Sequence, residues 1–159
     1  MNQVKLGIIR EGKVPPDKRV PLTPKQCKLV EMKFPHVKVL VQTSEVRAFK
    51  DEEYVAEGIE VVKDLADCDI IMGVKEVNIE DLIPRKKFLF FSHTIKKQPY
   101  NRNLLRAILE KKIQLIDYEV LKSREIFNSP HQRLRIMIFC SRPTYTCFIP
   151  KVSARFRTI

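Results

Sequence analysis

The chain of 159 residues has the length of one ordinary domain, enough to bury a core without disulfides or metal. Its composition, 44% apolar and 31% charged, is that of a globular protein, and no apolar stretch approaches the roughly 20 residues needed to cross a bilayer. The net charge of +11 is concentrated late: residues 1–120 hold 22 Lys and Arg against 18 Asp and Glu, whereas residues 121–159 hold 8 against 1, which argues against a specific nucleic-acid surface on the front portion.

The opening MNQVKLGIIREG has only a short apolar block before charge resumes, so neither a secretory signal nor a membrane partner is expected. The four cysteines, Cys27, Cys68, Cys140 and Cys147, lack the CxxC spacing of zinc or redox sites. Cys27 and Cys68 fall inside apolar segments and read as small core residues in a reducing cytoplasm, with no metal implied.

In chain order, VKLGIIR reads as a strand from Val4, followed by the loop GKVPPDKRVPLTP that carries Arg19. TPKQCKLVEMKF reads as a helix with Thr23 as N-cap and Pro24 at the first helical position, where the missing N–H of proline costs nothing. VKVLVQ is the next strand, from Val37, and a shorter helix begins at Asp51 in DEEYVAEG. CDIIMGV, from Cys68, is a strand that runs into Lys75 and Glu76. KFLFFS, from Lys87, has the unbroken apolar character of a strand buried on both faces and runs into His93. QPYNRNLLRAILEKK reads as a helix opening at Pro99, with Tyr100, Leu104 and Ile108 on its apolar side, Leu105 and Leu109 beside them, and Arg106 and Glu110 paired on a wet flank. IQLIDY, from Ile113, is the last strand, followed by Glu119.

Alternating strands and helices of this kind define an α/β domain over residues 1–122, built on an open, doubly wound parallel sheet. Residues 123–159 break the pattern, with arginines at no period and three prolines from Pro130 onward. They read as an irregular basic C-terminal tail, either a poorly ordered extension or the product of a reading-frame error.

Three residues carry the main functional signal. Arg19, Lys75 and His93 each fall in a segment that follows a strand, and a parallel sheet brings such segments to one edge, where ligands bind. Arg19 suits a carboxylate through its bidentate fork, Lys75 can polarise a carbonyl or accept a proton, and His93 is of the residue type suited to general acid/base work. Glu76, next to Lys75, and Glu119, beyond the last strand, are placed to tune them from nearby. Singly, each residue has a plainer reading: Arg19 and Lys75 as solvated charges, His93 as a helix cap or a loop hydrogen bond. Their convergence favours a site. The glycines Gly7, Gly12, Gly58 and Gly73 compose neither GxGxxG nor GxxxxGK[ST], so no bound nucleotide cofactor is expected from this chain.

Taken together, GIIREGKVPPDKRVPLTP, VRAFKDEEY, DIIMGVKEV, FFSHTIKKQ and IQLIDYE closely resemble the N-terminal domain shared by alanine dehydrogenase, the pyridine nucleotide transhydrogenases and the saccharopine dehydrogenase/lysine-ketoglutarate reductase group. FSHTIK followed by LIDYE is most similar to the last of these. The resemblance covers about residues 3–122. It implies a Rossmann-like substrate domain of an NAD- or NADP-dependent enzyme that acts on an amino acid or 2-oxo acid, and it leaves room for a homo-oligomer. It also implies that Arg19 takes a substrate carboxylate, that Lys75 contacts substrate or serves as base, that His93 is the acid/base, and that Glu76 and Glu119 line the site. Family members continue into a glycine-rich nucleotide-binding domain that is not found here. The expected protein is therefore a fragment holding the substrate side of the site, inactive alone; the alternative is a non-catalytic binding or interaction module that retains the fold.

Overall fold

A computed structural model describes residues 3–12, 14–15 and 17–121. The expectations for residues 123–159, Cys140 and Cys147 among them, lie outside the described residues.

Six strands form one sheet in the order β3-β2-β1-β4-β5-β6: β1 (Val4–Ile8), β2 (Val37–Gln42), β3 (Glu60–Val62), β4 (Ile70–Met72), β5 (Lys87–Phe90) and β6 (Gln114–Asp117). Every adjacent pair is parallel. The strand order reverses direction between β1 and β4, which makes the crevice beyond their carboxyl ends the switch point of a doubly wound sheet.

Three helices cover the sheet: α1 (Pro24–Lys33), α2 (Asp51–Ala56) and α3 (Arg102–Glu110). Register decides which face each one buries. Ile8 lies opposite Val41, and these residues pack with Val39 against Cys27 of α1 and Tyr54 of α2. Gly7 lies opposite both Leu40 and Ile71, and Ile71 opposite Phe88, so this set points to the other face. There Ile71, Phe88 and Phe90 pack with Leu104, Ala107 and Ile108 of α3. Helices on opposite faces of the two half-sheets are what an open sheet with alternating crossovers requires. The chain passes from β3 to β4 without a helix, close over β1: a Cβ on Gly7 would fall 2.8 Å from Cys68 Sγ and 3.0 Å from Leu65 Cδ2, so only glycine fits there.

The α1 start follows its sequence signal. Thr23 and Gln26 form a capping box, with the Gln26 N–H donating to Thr23 Oγ1 (3.4 Å), the Thr23 N–H donating to Gln26 Oε1 (2.8 Å), and Pro24 opening the helix. Two expectations are corrected. β3 was not anticipated, because three residues are too short a run to show a period. The helix expected at Pro99 begins instead at Arg102, after a 3₁₀ turn over Pro99–Asn101. Tyr100 therefore lies outside α3 and is exposed, as are Leu105 and Leu109; the buried stripe narrows to Leu104, Ala107 and Ile108 at i, i+3 and i+4.

Candidate functional site

All five residues singled out from sequence lie on segments that leave the carboxyl ends of strands: Arg19 after β1, Lys75 and Glu76 after β4, His93 after β5 and Glu119 after β6. The best-defined cluster surrounds His93. Its backbone is left-handed (φ 55°), an uncommon state for a residue with a side chain, and it sits between β5 and the 3₁₀ turn Thr94–Lys96. His93 Nδ1 lies 3.0 Å from Glu119 Oε1, and Nε2 lies 3.6 Å from Glu76 Oε1, so the ring stands between two carboxylates. Lys96 Nζ reaches the same Glu119 oxygen at 3.1 Å. Phe91 stacks on the imidazole at 6.3 Å between ring centres and meets Tyr118 edge-on at 5.1 Å, giving the cluster an apolar floor.

A buried polar network holds the two loops that carry this cluster. Ser92, fully buried, donates to Asp117 Oδ2 and lies 2.7 Å from the Thr94 hydroxyl; Asp117 Oδ1 accepts from the Glu119 N–H at 2.9 Å. The exits of β5 and β6 are thus tied together beneath His93 and Glu119. Burial pushes the Glu119 carboxyl upward, but hydrogen bonds from His93 and Lys96 and their positive charge outweigh it and hold the group below its ordinary range. Its other oxygen, Oε2, is buried and has no hydrogen-bond partner among the described residues. Such an atom invites a donor.

The second part of the site lies at the switch point. Arg19 Nε donates to Asp17 Oδ1 at 2.9 Å and to Oδ2 at 3.1 Å, and Nη2 also meets Oδ2. The hydrogen bonds from Arg19 hold the Asp17 carboxyl below its usual range, with the charge of Lys75 adding to the effect. Arg19 is therefore a guanidinium already oriented within an ion pair. Glu11, at the exit of β1, accepts from the Val74 N–H at 2.6 Å and from the Lys75 N–H at 3.0 Å. Burial pushes its carboxyl up to about 7, against the two backbone donors, with Asp17 raising it further and Arg19 lowering it. Burial likewise raises the Tyr118 hydroxyl, and the charge of Glu11 adds to that.

Sequence reading named neither Glu11, Asp17, Lys96 nor Tyr118. Glu11 had a usable signal: it follows β1 as Lys75 follows β4. Asp17 and Lys96 each sit two or three residues from a named residue, in loops whose path no sequence period records.

Each glycine has a local structural use. Gly7 admits the β3–β4 crossover, Gly58 has φ +80° after α2, Gly12 is pressed against Asn78, and Gly73 against Ile9. They do not join into a turn shaped for a pyrophosphate, so the described residues do not fit a nicotinamide dinucleotide by themselves. Among the described residues there is no His/Cys/Asp/Glu group suited to a metal ion, and no helix is long and apolar enough to cross a membrane. A cavity of about 540 Å³, lined by Lys5, Lys38, Leu40, Glu60, Val62 and Cys68, opens on the sheet face away from α1 and α2. Lys5 there meets Asp67 at 3.9 Å, and none of Arg19, Lys75, Glu76, His93 and Glu119 borders it.

The fold and the site define a doubly wound α/β domain with a histidine–carboxylate cluster and an arginine–carboxylate pair at its switch-point edge. The comparisons place it further. Residues 7–136 match the family described as "Alanine dehydrogenase/PNT, N-terminal domain", and the chain belongs to that family. It is 39% identical over 124 residues to mitochondrial alpha-aminoadipic semialdehyde synthase of Bos taurus, covering 77% of this chain and 12% of that protein. It is 35% identical over 120 residues to alpha-aminoadipic semialdehyde synthase of Arabidopsis thaliana, covering 73% and 11%. The chain thus spans about an eighth of the length of these relatives. Among solved structures it shares its fold with an L-alanine dehydrogenase (TM-score 0.61, 22% identity, 73% of this chain and 32% of that one). A transhydrogenase from Sinorhizobium meliloti gives TM-score 0.61 at 15% identity, covering 74% and 36%.

Proposed function

We propose that residues 3–121 form the substrate-binding, acid/base side of the site of an amino-acid oxidoreductase of the saccharopine or alanine dehydrogenase type. The observation that carries this reading is the placement of His93 between Glu119 and Glu76 on the same sheet edge as Lys75 and Arg19. In this reading Nδ1–H is donated to Glu119, and Nε2, on the Glu76 side of the ring, exchanges a proton with a substrate nitrogen or oxygen. The unpartnered Glu119 Oε2 supplies an acceptor for a substrate ammonium, and Arg19 a donor for its carboxylate. Lys75 serves as the second basic group, contacting the substrate or taking its proton. NAD or NADP, implied by the family, supplies hydride exchange when bound to a domain beyond these residues. The relatives' name, alpha-aminoadipic semialdehyde synthase, favours lysine-derived substrates over alanine.

The same edge also supports a non-catalytic binding module, and one measurement separates the two. Calorimetric titration with lysine, alanine, pyruvate and 2-oxoglutarate tests binding, and a proton-inventory of binding at pH 6 and pH 8 tests the acid/base. Uptake or release of a proton on binding, abolished in His93→Gln, is the result expected of a catalytic ancestry. Binding with no proton exchange would favour the module, and no binding of any of these would refute both. The place of action we propose is the cytoplasm; the bovine relative's name puts that protein in mitochondria, and reduced Cys27 and Cys68, both buried, suit either compartment.

A further inference from the structure

The junction between the exits of β1 and β4 is tighter than strand pairing alone requires. Beyond the last ladder bond, where the Ile9 N–H donates to the Met72 carbonyl (3.0 Å), the two chains stay in contact for several more residues. Glu11 takes both the Val74 and the Lys75 N–H on its two carboxylate oxygens, and Asn78 Nδ2 reaches back to the Gly12 carbonyl at 3.4 Å. Glycines make this approach sterically open: a Cβ on Gly12 would fall 2.3 Å from Asn78 Nδ2, and one on Gly73 would fall 3.0 Å from Ile9 and 3.6 Å from Glu11 Oε1.

We infer that Glu11 is a positioning residue for Lys75: its carboxylate, carried on the exit of β1, clamps the two successive amides at the exit of β4 and so sets where the Lys75 ammonium stands. The inference rests on the reading of Lys75 as a substrate-contacting group. A carboxylate offers acceptors to both N–H groups, whereas a protonated carboxyl or a glutamine amide presents a donor to one of them. The clamp therefore tightens as Glu11 ionises, which burial defers to about neutral pH. The charged and titratable groups that act on it are Asp17 and Arg19 from its own loop and Tyr118 from the exit of β6; Lys75 meets it through the backbone N–H, while the Lys75 charge bears on Asp17 beside it.

The test is a pH titration from 5 to 9 of the whole chain, with amide nitrogens and lysine side chains isotope-labelled, followed by NMR. The Val74 and Lys75 amides should move together through one step near neutral pH, and the Lys75 side-chain resonance should follow them while that of Lys111, remote from the site, does not. Glu11→Gln should remove the step, His93→Gln should retain it, and Glu11→Asp, a methylene shorter, should keep it at no more than one of the two amides. Absence of the step in the unaltered chain, or its persistence in Glu11→Gln, would overturn the inference. If Glu11→Gln does not fold, the unaltered chain still decides, because exchange of these two amide hydrogens should slow by about tenfold or more beyond the intrinsic pH trend as Glu11 ionises. Affinity for a 2-oxo acid separates the inference from the functional reading on which it rests. A tenfold loss in Glu11→Gln supports both; unchanged affinity with the step gone sinks the positioning role alone; no affinity in the unaltered chain with the step intact sinks the substrate reading and leaves the clamp.

Discussion

His93 and Arg19 are held differently, and their substitutions should separate accordingly. His93 is fixed through Nδ1 by Glu119 and acts, in the proposed chemistry, on a proton. Arg19 is oriented by Asp17 and acts on a carboxylate. Arg19→Ala should therefore weaken binding of 2-oxoglutarate or an amino acid by about tenfold or more, whereas His93→Ala should leave affinity within about threefold, since an acid/base serves mainly the chemical step; calorimetry on the two variants checks this. Glu11 makes a stability prediction with a definite sign. Its carboxyl is raised from 4.5 to about 7, so the folded state binds its proton more tightly than the unfolded chain. The stabilisation from protonated Glu11 is complete below about pH 4.5 and is lost as pH rises through about 7, a loss on the order of 3 kcal/mol. Urea unfolding at pH 5 and pH 8 should show this decline in the unaltered chain and a much smaller one in Glu11→Gln.

At the level of elements, the two short helices on the β1–β3 half-sheet depend on local polar contacts more than on length. Thr23→Ala removes half of the α1 capping box and should cost about 1 kcal/mol, read as a shift of the urea midpoint. Arg47 is a different case, because it is buried: its Nη1 donates to the Gln42 carbonyl (2.7 Å), its Nε to the Phe49 carbonyl (2.8 Å), it pairs with Asp51 at the start of α2, and it lies 4.5 Å over the Tyr54 ring. Arg47→Met leaves those acceptors unmatched and should cost about 3 kcal/mol or more in the same assay, with no direct effect on ligand affinity. The motif VRAFKDEEY, which helped to carry the family resemblance, thus has a structural explanation.

For the molecule as a whole, one sheet edge gathers groups from four strand exits, while a hydride carrier calls for a second surface facing that edge. Since the described glycines are used in packing and turns, the 159-residue chain should bind a 2-oxo acid or amino acid weakly, with a dissociation constant on the order of a millimolar, and should not oxidise NADH or NADPH. An absorbance assay with lysine and 2-oxoglutarate together checks this, and steady oxidation by the pure chain would show that a cofactor site exists outside the residues described.

The alternation of apolar runs with helical ones, the Thr23–Pro24 helix start and the position of Lys75, His93 and Glu119 just beyond strands were legible in the amino-acid order, because each depends on neighbours a few residues away. So was the parallel α/β class, and with it the edge on which the candidate site would fall. The clamp from Glu11 to Val74 and Lys75, the pairing of His93 with both Glu76 and Glu119, and the occupation of Arg19 by Asp17 were decided by tertiary structure. Contacts such as Glu11 with Val74 span 63 residues, and they exist only because the sheet sets β1 beside β4 and reverses its winding between them. A side chain's period along the sequence can say that it leaves a strand at the ligand edge; only the order of strands says which other side chains it meets there.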